Sequence, residues 1–222
     1  MKPKLLVWVT LGVAAIAIGA TYFFSGSELP ESIPVTTTGQ PTIGYPKAKV
    51  HLVVFEEPKC STCIDFNNEI FPKLKEEYID TNQILYTIIP VSFLPNSMPA
   101  AIATLCVYYA NPLYPNSDIF FTYLDYLFKH QPTEHVDWAT PEKLVEFARE
   151  SSPAINLQKL RKCIETESYR VKIEKNTEYG KNIMGGKIAT PTVYVNGIEA
   201  PELSYDAIRK LIKKVQEHKG VK

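Results

Sequence analysis

Net charge is what this sequence lacks: 24 Lys and Arg residues balance 24 Asp and Glu over 222 positions. The balance excludes the basic excess of a nucleic-acid binder and the single-sign field of a strongly charged partner surface. Cysteine is scarce, at four. Beyond Cys60 and Cys63, the other two, Cys106 and Cys163, stand far apart, so a zinc site built on the first pair has no second pair at ligand spacing. Of His51, His130, His135 and His218, only His130 and His135 have ligand-like spacing. No C-x-x-C lies close upstream of them, and they read as a solvated helix end. No metal is expected. Internal repeats are absent, and the 17 prolines sit at element edges without forming a low-complexity tract. With 45% apolar residues, the chain can bury one domain with room for an inserted subdomain.

What is present centres on Cys60-Ser61-Thr62-Cys63. An apolar run at 51–55 has strand character and breaks at Glu56-Glu57-Pro58, after which the two cysteines open an amphipathic helix. Thiols two residues apart at a helix start can close a small disulfide ring. They also meet the partial positive charge of unpaired N–H groups, which stabilises a thiolate. Cys60, at or near the N-cap, feels this most. Cys63, one turn in, is expected to be more buried and less nucleophilic. Attack at Cys60 with resolution by Cys63 is the chemistry this spacing favours.

Lys2 and Lys4 precede an uncharged run over 5–24. At ~1.5 Å rise per residue such a run can span a ~30 Å hydrocarbon core. Its length favours an uncleaved anchor over a signal peptide, for which Ser25-Gly26-Ser27 offers only a weak cleavage site. On either reading the domain is exported, to the periplasm, where disulfides are made and persist. Residues 25–47, with Pro30, Pro34, Pro41 and Gly39, read as a tether carrying a short edge strand near 33–36.

The domain proper is expected over 48–219. A helix over 60–78 should kink at Pro72, and 83–91 reads as a central strand, parallel to the first through a right-handed crossover. From 97 to 184 the pattern is helical, with helices at 99–110, 118–130, 141–150, 156–166 and 168–182. The third is capped by Thr140 with Pro141 at its first position, and the last is stopped by Gly185-Gly186. Tyr108, Tyr109, Phe120, Phe121, Tyr123, Tyr126 and Phe128 form this insertion's expected core. A strand at 192–195 returns through an Asn196-Gly197 hairpin. Ser204 caps a final helix whose Lys210, Lys213, Lys214 and Lys219 form a solvated face.

This order, with Cys60-Ser61-Thr62-Cys63 after an apolar strand and Thr190-Pro191-Thr192 before another, resembles the DsbA-like branch of the thioredoxin superfamily over 48–218. The resemblance implies an α/β thioredoxin-like fold with an inserted helical subdomain. It also implies a cis Pro191, with Thr190 beside the sulfurs, in a loop whose backbone pairs with extended substrate peptides. It further implies an exported, monomeric thiol:disulfide oxidoreductase without a cofactor. Such an enzyme introduces disulfides into reduced exported proteins and is reoxidised by a DsbB-like, quinone-linked membrane oxidase.

Two departures bear on its strength. The DsbA type often has His between the cysteines; here Ser61 and Thr62 supply hydroxyl donors instead, weaker than a charge. A buried acid six residues before the first cysteine is also common, and here that position is Val54. Glu56 and Glu57 are nearest and read as exposed loop charges, with a proton relay as the alternative. Their charge opposes a thiolate that Lys59 favours. The expectation is a Cys60 pKa well below ~8.5, in a protein less oxidising than a His-containing relative. Cys106 and Cys163 are read as a structural disulfide, because the protein is exported and the count is even; two buried thiols are the alternative. Such a bridge is worth roughly 2–4 kcal/mol. The rival functions are a reductase or isomerase of the same fold and a chaperone-like binding module whose thiols are incidental.

Overall fold

The computed structural model describes residues 29–218; the run at 5–24, read as an anchor or signal, and Lys219 lie outside them. Among the described residues no helix is long and apolar enough to cross a membrane. Five strands, β1 (Thr42–Gly44), β2 (Val50–Glu56), β3 (Ile84–Pro90), β4 (Thr192–Val195) and β5 (Ile198–Glu199), form one sheet in the order β1-β3-β2-β4-β5. β2 lies parallel to β3 and antiparallel to β4, and β1 lies antiparallel to β3. The β2–β4 register sets Leu52 opposite Val195 and Phe55 opposite Thr192. It brings the C-terminal end of β2, which runs on to Cys60, beside the N-terminal end of β4, which follows Thr190-Pro191.

Both faces of β2 are buried, as expected for a central strand. Val53 and Phe55 join Ile89, Val91 and Tyr194 in a cluster covered by Tyr179 and Ile183 of helix α6 (Arg170–Ile183). Gly180 lets that helix approach, because a Cβ there would lie 3.2 Å from the Phe55 ring. On the opposite face, Leu52 pairs with Tyr86, whose ring centroid lies 5.1 Å from that of Phe71 in helix α1. Helix α1 covers residues 61–79 as an unbroken succession of α and π turns: Ser61–Asp65, Phe66–Ile70, Phe71–Leu74 and Lys75–Ile79. Pro72, read from the sequence as a kink, is taken up in these widened turns. Just ahead of it the Phe71 N–H reaches back five residues to Phe66, as a π-bulge does.

Helices α2 (Met98–Tyr108), α3 (Ser117–His130), α4 (Pro141–Ser151) and α5 (Leu157–Glu165) lie between β3 and α6, and α7 (Tyr205–Glu217) closes the chain. Thr140 caps α4 and Ser204 caps α7, as their sequences suggest, while Asn116 and Asn156 cap α3 and α5. Of the seven aromatics assigned to the helical core, Tyr108, Phe120, Tyr123 and Phe128 are buried, and Tyr109, Phe121 and Tyr126 are half-buried.

The tether needs correcting. Its expected edge strand near 33–36 is absent, and Pro34 within it has no N–H to give a ladder. Ile33 N–H instead donates to Gly197 O at 2.9 Å. Gly197 has φ +81°, and a Cβ there would lie 2.0 Å from Ile33 O, so the Asn196-Gly197 turn requires glycine. The strand that does form, β1, lies within 25–47, where Thr42 Oγ1 and Thr87 Oγ1 hydrogen-bond across the pair at 2.8 Å. Part of the segment read as a tether is therefore an edge of the sheet.

Candidate active site

Cys60 is the N-cap of α1, with extended backbone, and Cys63 lies in its first turn. Both thiols are free; Cys63 is fully buried and Cys60 is 8% exposed. The peptide bond between Thr190 and Pro191 is cis. It brings the Thr190 carbonyl to 3.5 Å from Cys60 Sγ and 2.9 Å from the Thr62 hydroxyl, while Thr62 Oγ1 itself lies 3.0 Å from Cys60 Sγ. Cys60, Cys63, Thr62, Thr190 and Pro191 thus come together where β2 and β4 end.

The two thiols are held in opposite protonation states. A hydrogen bond from the Cys63 thiol is the largest influence lowering the Cys60 pKa to about 5, assisted against burial by Thr190, Thr62 and the Cys63 N–H. Burial, and then the same bond to Cys60, push Cys63 well above its ordinary value. The hydroxyl donors expected at Ser61 and Thr62 divide: Thr62 faces the sulfur, whereas Ser61 turns to Glu134. Lys59 is buried, with its ammonium donating to Pro95 O at 2.9 Å.

Glu56 and Glu57 are not exposed loop charges. They are 1% and 0% exposed, because β2 continues through Glu56 and Glu57 folds back to accept the Lys59 N–H at 2.9 Å. Burial raises both carboxyls to about 8, so at neutral pH they are mostly protonated and oppose the thiolate far less than two charges would. Asn67 ties Glu56 to the resolving cysteine, its Nδ2 donating to Glu56 Oε1 at 3.1 Å and to Cys63 O at 3.0 Å. Glu56 Oε2 has no hydrogen-bond partner among the described residues. Val54, at the position often acidic in DsbA-like chains, is fully buried between Ile88 and Val193. The acid near Cys63 has in effect moved two residues along the strand.

Sequence reasoning missed Glu134, whose Oε2 accepts the Ser61 N–H at 2.8 Å. It sits 73 residues away between two insertion helices, and nothing in its local sequence marks it. Cys106 and Cys163 are joined in a disulfide of S–S 2.03 Å that links α2 to α5. Among the described residues no group of His, Cys, Asp and Glu is arranged to hold a metal ion.

The sequence profile of a family described as Thioredoxin matches residues 36–214. Disulfide bond formation protein D of Bacillus subtilis (strain 168) is 32% identical over 180 residues, covering 79% of this chain and 77% of that protein. Among solved structures, Chlamydia trachomatis DsbA aligns with a TM-score of 0.77 at 36% identity, covering 87% of this chain and all 100% of that one. Oxidised BdbD from Bacillus subtilis gives a TM-score of 0.74 at 30% identity, covering 83% and 97%.

Proposed function

We propose, on the premise that the chain belongs to the thioredoxin family, that it is a thiol:disulfide oxidoreductase that forms disulfide bonds in other proteins through Cys60 and Cys63. The observation that carries this reading is the asymmetry of the pair. One thiol is accessible enough to react, sits at a helix N-cap and has its pKa lowered to about 5; its partner is fully buried and held protonated. A substrate thiolate attacks Cys60 Sγ of the Cys60–Cys63 disulfide. The new S–S bond is the mixed disulfide, and Cys63 leaves with the electron pair and takes up a proton. Glu56, protonated and tied to Cys63 through Asn67, is the nearby group able to supply it. A second substrate thiolate then attacks the substrate sulfur of the mixed disulfide and expels Cys60 as a thiolate. Two substrate thiols have become one disulfide, and the enzyme holds the two electrons as a dithiol. The low Cys60 pKa makes it a good leaving group in this last step.

Regeneration requires an electron acceptor, and the family resemblance favours a DsbB-like membrane oxidase. The basic, apolar N-terminus supports export to the periplasm, retained there as an anchor or cleaved as a signal, and the protein acts as a monomer. The test is oxidative refolding of a reduced, disulfide-requiring protein with the oxidised enzyme as sole oxidant. Disulfides should appear in the substrate one for one with dithiol in the enzyme. Substrate that stays reduced, while the Cys60–Cys63 disulfide stays intact, contradicts the reading.

A further inference from the structure

The catalytic helix begins without a cap of its own. Cys60, the N-cap residue, makes no side-chain cap bond, and no acid stands in the first turn. The Ser61 N–H is met instead by Glu134, at 2.8 Å. Glu134 does not swing on a free loop. On one side of it Gln131 Nε2 donates to Pro58 O at 2.7 Å; on the other, Asp137 Oδ2 accepts from Asn96 Nδ2 at 2.7 Å. The segment between α3 and α4 is thus fastened to the loop that leads into Cys60 and to the 92–97 loop, with Glu134 between the fastenings.

The neighbouring charges make this contact consequential. Glu56 and Glu57, below Cys60, are mostly protonated at neutral pH. The Lys59 ammonium is occupied by Pro95 O, and His135 follows Glu134 on the outer loop. Glu134 is pulled below its ordinary value, first by the Ser61 N–H. It is therefore the ionised carboxylate at the mouth of the helix. A helix N-terminus attracts one anion readily, and a second beside it is repelled by the first. The carboxylate is present in both redox states, but the thiolate exists only in the dithiol form.

We propose that Glu134 is a positioning residue that restrains the oxidising strength of the pair: its charge, fixed on the Ser61 N–H, disfavours the Cys60 thiolate and so stabilises the disulfide relative to the dithiol. The inference rests on Cys60–Cys63 being the redox pair. It gives the helical insertion a direct part in setting the potential of a site built almost wholly from the sheet domain.

The test compares the full-length protein with Glu134→Gln, Glu134→Asp and Glu134→Ala. Two readings are taken: thiolate absorbance against pH, and the dithiol–disulfide equilibrium in glutathione buffer. Glu134→Gln keeps an acceptor for Ser61 and removes the charge. It should raise the Cys60 acid dissociation constant about threefold and move the equilibrium toward dithiol by a similar factor. Glu134→Ala should shift in the same direction, and Glu134→Asp, which restores the charge, should return toward the parent. Added salt should narrow the gap between parent and Glu134→Gln. A folded Glu134→Gln protein with an unchanged Cys60 titration and equilibrium overturns the proposal, as does a shift toward disulfide. Failure of the parent itself to equilibrate reversibly would instead overturn the redox reading, so the two failures are distinguishable.

Discussion

The molecule carries two cysteine pairs, and their surroundings assign them opposite tasks. Cys60 stands at a helix N-cap, where the Cys63 thiol first, and the Cys63 N–H last, help hold its pKa down. Cys106 and Cys163 lie toward the C-terminal ends of α2 (Met98–Tyr108) and α5 (Leu157–Glu165), where exposed carbonyls disfavour an anion. Cys106 is 4% exposed. The first pair can close a ring of four residues at the C-terminal end of the central strand β2; the second ties together two helices through cysteines 57 residues apart in sequence. A thiolate that is stabilised leaves and returns easily, so its disulfide is readily exchanged. The Cys106–Cys163 bridge, buried at Cys106 and half-buried at Cys163, sits toward two helix C-termini and has no such stabilised leaving group. Helix polarity, more than burial or cysteine itself, separates the reactive bond from the structural one.

The comparison breaks most visibly at Cys60. Cys60→Ser should reduce substrate oxidation to the uncatalysed rate, whereas in Cys63→Ala the Cys60 thiolate should attack a disulfide-bearing substrate, expel one substrate thiolate and, with no Cys63 to resolve it, accumulate the mixed disulfide, detectable by non-reducing electrophoresis and mass spectrometry. The double variant Cys106→Ala, Cys163→Ala should do the converse. It should lose about 2–4 kcal/mol of stability in denaturant and leave the Cys60 titration in place. A loss of activity with no loss of stability would reverse the assignment of the two pairs.

Titration sharpens the contrast further. In the dithiol form Cys60 has a pKa lowered from 9.0 to about 5. It contributes stability that is complete above the unfolded value and is lost as pH falls through the folded one. Glu56, raised from 4.5 to about 8, contributes stability that is complete at low pH and is lost as pH rises. The disulfide form keeps the carboxyl and lacks the thiolate. Between about pH 5 and 9 the dithiol form should therefore gain on the disulfide form by up to about 1.4 kcal/mol per pH unit, as one proton of linkage requires. Denaturant titrations of both forms at several pH values check the slope, and Glu56→Gln should remove chiefly the burial-driven part that the two forms share. Smallest is Thr62→Val. Deleting the hydroxyl 3.0 Å from the sulfur should raise the Cys60 pKa by about one unit, read by thiolate absorbance.

The sequence is most informative where local chemistry decides. Helix caps at Thr140 and Ser204 and the Asn196-Gly197 turn are short-range devices, and each forms where its residues stand. The Cys60 position at a helix start is legible for the same reason. What could not be read is what depends on distant partners. Glu56 and Glu57 look like loop charges until α1 and the 92–97 loop cover them. Thr42–Gly44 shows strand character only beside β3, and Glu134 becomes part of the site only because α3 and α4 carry it back to Ser61. Pro72 signals a break in the helix, but π turns accommodate it, a backbone response that no residue pattern announces.

The most direct test of the account is the reduction potential of the Cys60–Cys63 pair in the full-length protein, measured by mass spectrometry in glutathione buffers. A stabilised Cys60 thiolate should place it well above the thioredoxin value of about −270 mV, toward about −200 mV or higher. A potential near or below about −270 mV would contradict disulfide donation and make the protein a reductase.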